Sequence, residues 1–196
     1  MTLQRHWDAR AALNFMLGGS GAGLMIAAAF VPPASPAPVA LSLALVAAGL
    51  FSVWLEIGRK LRALHVFFNP FTSWMTRESF AALLLFPLGL GAIFFSQALP
   101  AAAIAAALFL YCQARILYAA KGIPAWRSPM VVPLIVVSGL AEGAALLLLL
   151  EGGVIGIPVL AAGWWVKFSL VTRRSHKQAP RLPRLPVRGA RTEEAP

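Results

Sequence analysis

Cysteine and histidine are scarce in this sequence, and their scarcity excludes several kinds of redox centre. Cys112 is the single cysteine, so the chain alone cannot form a disulfide, a thiolate cluster site or a zinc site. The three histidines, His6, His65 and His176, all lie outside the apolar runs. Because haem b in a helix bundle needs axial ligands at membrane depth, normally histidines, we expect neither haem nor a metal on this chain. A redox role therefore requires a diffusible cofactor or centres on another subunit.

Acidic residues are also few, and charge as a whole is sparse. Seven Asp and Glu residues face 17 Lys and Arg residues, which gives a net charge of +10. Charged residues make up 12% of the chain and hydrophobic residues 59%, with a mean hydropathy of +0.75. This composition excludes a water-soluble domain and predicts one integral membrane bundle. Since the cations flank apolar runs, we expect anionic lipid headgroups and a docked protein as partners, and no nucleic acid.

Six apolar runs predict the fold class: an all-α, polytopic membrane bundle of six transmembrane helices with both termini in the cytoplasm. Each run is near the roughly 20 residues needed to cross a hydrocarbon core about 30 Å thick. The predicted spans are residues 11–31, 39–57, 80–99, 101–118, 130–150 and 154–171. The bundle thus occupies residues 1–172 and includes an interfacial loop at residues 58–78. Residues 173–196 form a basic, Pro- and Arg-rich cytoplasmic tail that we expect to be disordered alone.

The cations predict the orientation of the bundle. With six alternating spans, every Lys and Arg falls on or near one side, and the turns of the other side carry none. By the positive-inside rule that side is the cytoplasm. Arg115 and Lys167 lie within spans but close to the cytoplasmic ends, where we expect long side chains to snorkel to the headgroups. The first apolar run is too long for a cleavable signal peptide, and we expect none.

The first span opens with a glycine-rich segment, residues 18–23, preceded by Asn14. Gly19 and Gly23 have the small-xxx-small spacing that lets a neighbouring helix approach closely, so we expect tight helix packing here. A phosphate loop would need a preceding strand and the surrounding lysine signature, and both are missing. Asn14 is a different case, because an amide one turn into the membrane needs a partner there.

The long cytoplasmic loop follows Glu56, a carboxylate at the inner end of the second span. Such a group is costly unless it is paired, protonated or hydrated. Arg59 is within one helical turn, so Glu56 either forms an interfacial ion pair or has a ligand or proton role. The loop itself has the pattern of a short interfacial helix. Ser73 then predicts a helix start, with Glu78 favourably near its N-terminus.

Further polar groups lie on the fourth and fifth spans. Tyr111, Arg115 and Tyr118 fall at i, i+4 and i+7 and so share one helix face. Glu142 is the deepest ionisable group, about 18 Å from the start of its helix at 1.5 Å per residue. We expect it to be either an interhelical hydrogen-bond donor or a station on a proton path, with Gly139 and Gly143 admitting the helix that pairs with it.

Eight polar or aromatic residues belong to the cytoplasmic ends of different helices, which predicts a pocket that opens sideways into the inner leaflet. Such a pocket suits an amphipathic ligand with ring carbonyls and a lipid-soluble tail, and quinone is the obvious candidate. The eight residues are Asn14, Glu56, Arg59, Trp74, Arg77, Arg115, Tyr118 and Trp126.

Several of these segments carry a family resemblance. Residues 14–142 resemble the membrane anchor subunit of the dimethyl sulfoxide reductase type, within the polysulfide reductase membrane-subunit superfamily. Anchors of phenylacetyl-CoA:acceptor oxidoreductases are the most similar, through residues 7–12, 111–113 and 122–127, and sulfite dehydrogenase anchors are similar as well. The chain departs from typical members in having fewer spans. The segments that carry the resemblance are Glu56-Ile-Gly-Arg-Lys-Leu-Arg-Ala63, Asn69-Pro-Phe-Thr-Ser-Trp-Met-Thr-Arg-Glu78, the glycine-rich opening of span one and Gly122-Ile-Pro-Ala-Trp126.

The resemblance implies an anchor that exchanges electrons with ubiquinone or menaquinone in the bacterial inner membrane. It implies two cytoplasmic partners, a ferredoxin-like iron–sulfur subunit and a molybdenum or tungsten bis-pterin catalytic subunit. Glu56 occupies a position where some anchors carry a histidine at the quinone site, with Arg59 as its electrostatic partner and Asn14 as hydrogen-bond donor. The remaining predicted quinone-binding residues are Trp74, Arg77, Arg115 and Tyr118; the predicted proton relay is Glu56 and Glu142; the predicted docking residues are Arg62, His65, Trp126 and Arg127.

Two alternatives stay open at this point. In one, the chain is a small transporter in which Glu142 and Arg115 bind substrate at mid-depth. In the other, it is a purely structural anchor without a quinone site.

Overall fold

The computed structural model describes residues 2–3, 7–31, 35–57 and 60–177, and within them the regular secondary structure is helical apart from one pair of two-residue strands. Short 3₁₀ helices occupy Lys60–Phe68, Ser96–Ala98 and Pro124–Trp126. The strands Thr2–Leu3 and His176–Lys177 pair antiparallel. The long helices are α1 (Ala9–Phe30, with a π turn at Asn14–Gly18), α2 (Ala37–Glu56), α3 (Trp74–Phe94), α4 (Leu99–Ala119), α5 (Val131–Leu150) and α6 (Gly156–Phe168, continued by a π turn at Ser169–Arg173).

Five of these helices are long and apolar enough to cross a membrane, which confirms the helical class and identifies an integral membrane protein. They are Ala9–Phe30, Ala37–Leu55, Trp74–Phe94, Ser96–Ala119 and Val131–Leu150. The sixth predicted span corresponds to α6, whose 13 α-helical residues fall short of the roughly 20 that a full crossing needs. Six crossings, and a cytoplasmic location for both termini, therefore stay predictions.

The helices α1 to α3 alternate in direction. Gly18 and Gly21 of α1 lie against Gly49 and Ser42 of α2, so the first two helices are antiparallel.

The third helix, α3, begins at Trp74, earlier than the predicted span, because the hydroxyl of Ser73 accepts a hydrogen bond from the Thr76 amide at 3.3 Å. The helix start predicted at Ser73 is thus confirmed. The basic end of the bundle, as we call it, is where α1, α3 and α5 begin and where α2, α4 and α6 end.

A seam of glycines joins α1 to α5 at the centre of the bundle. A Cβ atom added to Gly23 would collide with the carbonyl oxygen of Gly139, and one added to Gly143 would collide with the backbone of Gly23. The carbonyl oxygen of Gly19 lies 3.2 Å from the Cβ position of Gly139, whereas a Cβ atom on Gly19 itself would lie 2.6 Å from Nζ of Lys167. The close packing predicted for Gly19 and Gly23 is confirmed: Gly23 admits the backbone of α5, and Gly19 admits the side chain of Lys167.

The strand pair brings together the chain before α1 and the chain after α6. Thr2 is paired with Lys177 and Leu3 with His176. These two segments therefore lie side by side at the basic end. Of the tail predicted to be disordered, Arg173 ends a π turn and residues 176–177 form a strand, whereas residues 178–196 lie outside the described residues.

Candidate functional site

A cavity of about 940 Å³ lies between α1, α2, α3 and the 3₁₀ helix Lys60–Phe68. This volume is at the upper end of the range typical of small-molecule sites, about 300–1,000 Å³. Most of its wall is apolar. The lining residues are Trp7, Ala11, Asn14, Phe15, Ala47, Leu50, Phe51, Val53, Trp54, Ile57, Ala63, Leu64, Val66, Phe67, Met75, Glu78, Ser79, Ala82, Leu83, Phe86 and Ile116.

The cavity opens through the side of the bundle. Phe51 of α2 is 55% exposed, Leu83 of α3 is 60% exposed, and Leu64 of the 3₁₀ helix is 63% exposed, although all three line the cavity. Two of them belong to helices that are long and apolar enough to cross a membrane. A ligand would therefore enter the cavity from the lipid, which is the route open to a molecule with a hydrocarbon tail.

The polar part of the wall is formed by Asn14 and Glu78. Both side chains are buried, and the Asn14 amide nitrogen donates to the Glu78 carboxylate over 3.4 Å. Gly49 makes room for this pair, since a Cβ atom there would lie 3.1 Å from Oδ1 of Asn14. The pair places a hydrogen-bond donor and a carboxyl group next to each other in a wall that is otherwise mainly apolar.

Gln113 of α4 holds the backbone of Asn14 in place by a hydrogen bond. Its amide nitrogen donates to the main-chain carbonyl of Asn14 at 2.9 Å, and its side chain is fully buried. Asn14 is the first residue of the π turn in α1. Within the described residues, Oδ1 of Asn14 and Oε1 of Gln113 have no hydrogen-bond partner. Buried amide oxygens without partners are uncommon in folded proteins, and they leave this polar group able to accept further hydrogen bonds.

The structure does not bring the seven predicted quinone residues into one pocket. Asn14 lines the cavity, and the side chain of Glu56 and the whole of Arg59 lie outside the described residues. The other four, Trp74, Arg77, Arg115 and Tyr118, pack on one another at the basic end and are not part of the cavity wall.

The predicted common face of α4 is confirmed within that group. A guanidinium nitrogen of Arg115 donates to the hydroxyl of Tyr111 at 3.0 Å, and its Cζ lies 5.6 Å from the centre of the Tyr118 ring. The interaction of Arg115 with aromatic rings on α3 and α4 therefore explains why a cation is tolerated within a membrane helix.

The four predicted docking residues have different environments. His65 is exposed beside Phe68, and Arg127 is exposed while its Nε donates to the carbonyl of Lys121 at 2.7 Å. The side chain of Arg62 lies outside the described residues. Trp126 requires a correction, because it is fully buried and cannot form a docking surface. Its indole nitrogen donates to the carbonyl of Leu170 at 3.1 Å.

Glu142 belongs to a second polar group at the other side of α1. Lys167 Nζ lies 2.7 Å from Oε2 of Glu142, and both side chains are fully buried. The hydroxyl of Ser20 donates to the same carboxylate oxygen at 2.6 Å and accepts from the indole nitrogen of Trp164 at 2.9 Å. Glu142 is thus hydrogen-bonded to both α1 and α6, while its predicted roles, as a hydrogen-bond donor or as a station on a proton path, stay predictions.

The environment of Lys167 also corrects the expectation that it would snorkel. In a helix the Cα–Cβ bond tilts toward the N-terminus. The helix α6 runs toward the basic end, so its Lys167 side chain points away from that end and reaches Glu142 on the antiparallel α5. The transporter alternative had combined Glu142 with Arg115, but the structure gives these two residues separate partners.

The site residues that sequence reasoning missed are Glu78, Gln113 and Lys167. Glu78 shares spacing i, i+3, i+4, i+7 with Ala81, Ala82 and Leu85, and all four side chains are buried. That stripe was visible in the sequence, although the surrounding run of apolar residues obscured it. For Lys167 the sequence offered one signal: it is the single cation of α6, and the preceding helix α5 contains the single anion Glu142.

No family model, curated protein or solved structure matches this chain. Within the described residues, no group of three or more His, Cys, Asp or Glu side chains is placed to hold a metal ion.

Proposed function

We propose that this chain is the membrane anchor and quinone-reactive subunit of a multi-subunit oxidoreductase in the bacterial inner membrane. Its soluble partners are an iron–sulfur subunit and a molybdenum or tungsten bis-pterin catalytic subunit on the cytoplasmic face. One observation carries the proposal: a large, laterally open, apolar cavity has a buried amide and a buried carboxyl group side by side in its wall. That combination suits a lipid-soluble ligand whose head group needs both a hydrogen-bond donor and a proton-exchanging group.

Each part of the cavity has a role in this proposal. The quinone supplies a couple of two electrons and two protons, and the electrons pass through the clusters of the docked iron–sulfur subunit. The amide of Asn14 donates a hydrogen bond to a head-group carbonyl, and Gln113 holds the Asn14 backbone in position. The carboxyl group of Glu78 holds or releases a proton beside that carbonyl. The aromatic and aliphatic wall excludes water and accommodates the start of the tail.

Proton exchange with the cytoplasm is assigned to Glu56, with Arg59 as its electrostatic partner. Glu56 is the last residue of α2, and the preceding residues Val53 and Trp54 line the cavity. The proposal thus uses two carboxyl groups in sequence: Glu78 at the ligand and Glu56 toward the aqueous side. Glu142 is part of the separate ion pair and is not needed for this exchange.

The experiment compares two neighbouring positions on α2. Ala47 and Ala48 are both exposed, but only Ala47 lines the cavity. Tagged wild type, Ala47→Trp and Ala48→Trp are purified in mild detergent from native membranes, and extracted quinone, iron, molybdenum and tungsten are measured. We expect wild type and Ala48→Trp to carry quinone and metal-containing partners, whereas Ala47→Trp keeps the metals and loses most of the quinone.

Three results would contradict the proposal. Equal quinone in all three samples would exclude the cavity as the quinone site. A metal-free chain that purifies alone, from membranes whose assembly is demonstrably intact, would favour the transporter alternative. Partners with metals but without quinone in any sample would leave the chain as a purely structural anchor.

A further inference from the structure

A row of alternating cations and aromatic rings lies at the basic end of α3 and α4. The Cζ atoms of Arg77 and Arg115 lie 4.2 and 4.4 Å from the centre of the Trp74 ring. Arg115 is 5.6 Å from the Tyr118 ring, and Nζ of Lys121 is 3.4 Å from the same ring. We call Arg77, Trp74, Arg115, Tyr118 and Lys121 the cation row. It places three positive charges together, on α3, on α4 and in the turn that follows α4.

Among the described residues no ion pair involves Arg77, Arg115 or Lys121, and the one ion pair found there joins Glu142 to Lys167. Arg77 donates to the carbonyls of Pro70 and Phe71 at 2.8 and 2.7 Å, which fixes its guanidinium but leaves its charge. The buried Nε of Arg115 has no hydrogen-bond partner. Neighbouring cations at a membrane boundary repel one another, since the effective dielectric constant is lower there than in water. An anion between them would remove that cost, and phosphate matches the guanidinium donors best.

An exposed apolar stripe on α4 continues from the cation row. Tyr111, Leu108 and Ile104 precede Arg115 by 4, 7 and 11 positions and so lie on its helix face. They are 41%, 50% and 66% exposed, and they belong to a helix long and apolar enough to cross a membrane. The stripe runs away from the basic end, toward the middle of the membrane. An occupant that fits both features carries a phosphate group and a hydrocarbon chain.

We propose that the cation row and this stripe form a binding site for an anionic glycerophospholipid. Arg115 and Lys121, with Arg77, hold the phosphate, and one acyl chain lies along Leu108 and Ile104. A zwitterionic lipid would bring an ammonium group beside three cations, which disfavours it. A soluble acidic protein would satisfy the cations but leave the stripe on α4 uncovered. This site is separate from the cavity, so the proposal does not depend on quinone binding.

The test is lipid titration of the full-length chain in detergent, followed by native mass spectrometry. We expect wild type to bind phosphatidylglycerol about tenfold more tightly than phosphatidylcholine of the same chain length. The double variant Arg115→Gln/Lys121→Gln should lose about tenfold in phosphatidylglycerol affinity, since it removes two charge-assisted contacts. The control Arg174→Gln removes an exposed cation outside the cation row and should stay within about twofold of wild type.

A second variant tests the hydrocarbon part of the site and leaves all cations in place. Leu108→Ser should weaken phosphatidylglycerol binding about threefold, because it removes apolar contact area. Both variants must elute and unfold as wild type does, and Leu108→Ser alone decides the matter if the double variant does not fold.

Four outcomes would overturn the proposal. The first is that both variants bind phosphatidylglycerol as tightly as wild type does, and the second is that wild type binds phosphatidylglycerol and phosphatidylcholine equally. The third is that inorganic phosphate binds as tightly as the lipid. The fourth is that the double variant binds lipid as wild type does but loses a co-purifying subunit. The third would indicate an anion site, and the fourth a protein-docking surface.

Discussion

Lys167 and Glu142 form a fully buried ion pair, with Nζ of the lysine 2.7 Å from Oε2 of the carboxylate. The pair joins α6 to α5, and Ser20 brings α1 into the same group. Glycines give it space: a Cβ atom on Gly163 would collide with the Glu142 carboxylate, and one on Gly19 would lie 2.6 Å from Nζ of Lys167. The short helix α6 is therefore held to the bundle by charge as well as by apolar contact.

Removing one partner of this pair should be more harmful than removing both. Lys167→Met leaves a buried carboxylate unpaired, and we expect a loss of about 3–5 kcal/mol in the free energy of unfolding. The double variant Glu142→Leu/Lys167→Met should lose less than Lys167→Met alone, because no buried charge remains. Unfolding in mixed detergent micelles, followed by tryptophan fluorescence, measures the differences.

The control for the ion pair is Arg174→Met, which removes an exposed cation outside the cation row. Its effect should stay within about 0.5 kcal/mol. A double variant less stable than Lys167→Met would mean that Glu142 contributes independently of Lys167, contrary to the geometry.

The seam between α1 and α5 should tolerate no side chain at Gly23. Gly23→Ala places a methyl group against the backbone of Gly139, which no rotamer change can relieve. We expect a loss of about 1–3 kcal/mol or failure of the chain to accumulate in the membrane. Gly122→Ala is the matched substitution, because nothing lies within 4 Å of its Cβ position. Thermal unfolding in detergent compares the two, and equal melting temperatures would contradict the close approach of α1 and α5.

If the cavity binds quinone, Glu78→Gln should separate ligand binding from proton exchange. Glutamine keeps an oxygen that accepts from Asn14 but cannot exchange a proton with the head group. We expect the quinone content to stay near that of wild type while quinol-dependent reduction of the partner clusters falls at least about 100-fold. Glu78→Leu should lower both, since it leaves the Asn14 amide without this acceptor.

Two further variants complete that comparison in native membranes. Ser79→Ala alters another residue of the cavity wall and should leave both readings unchanged. Full turnover in Glu78→Gln together with inactivity in Glu56→Gln would assign the proton exchange at the ligand to Glu56 instead.

The predicted orientation can be tested with single cysteines in a Cys112→Ser background, since Cys112 is buried. Arg174→Cys lies beyond α6 and Glu151→Cys lies in the turn between α5 and α6, and both positions are exposed. We expect a membrane-impermeant maleimide to label Arg174→Cys only from the cytoplasmic side and Glu151→Cys only from the other. Labelling of both from one side would exclude α6 as a full crossing.

The sequence predicted the helical class because apolar runs of membrane length have few alternative structures. It also predicted close helix packing at Gly19 and Gly23, the helix start at Ser73 and the shared face of Tyr111, Arg115 and Tyr118, each of which depends on local spacing alone. Asn14 was recognised as an amide that needs a partner, although Glu78 and Gln113 could not be assigned to it. Those contacts join residues 64 and 99 positions apart in the chain, and helix packing decides them.

The errors have a common physical cause. The prediction for Lys167 used its position near the end of a span, and the prediction for Trp126 used its place in the turn after the fourth span. Their burial depends on which way the helix faces and which neighbour lies opposite. In the bundle Lys167 meets Glu142, and Trp126 meets Trp7 edge-on with ring centres 4.7 Å apart. Depth can be read from a sequence, whereas rotation about the helix axis needs the packed structure.

The π turn at Asn14–Gly18 changes the direction in which the side chains of α1 point about the helix axis. A π turn closes its hydrogen bonds at i+5 and so accommodates one residue more than an α-helical turn. On one side of it Asn14 is directed to the cavity, and on the other Ser20 is directed to the ion pair of Glu142 and Lys167. The extra residue changes the angle about the helix axis between Asn14 and Ser20. Shortening this segment by one residue would restore regular α-helical spacing and misalign one polar group whenever the other stayed in place. The length of this segment, as much as its composition, lets a single helix serve both groups.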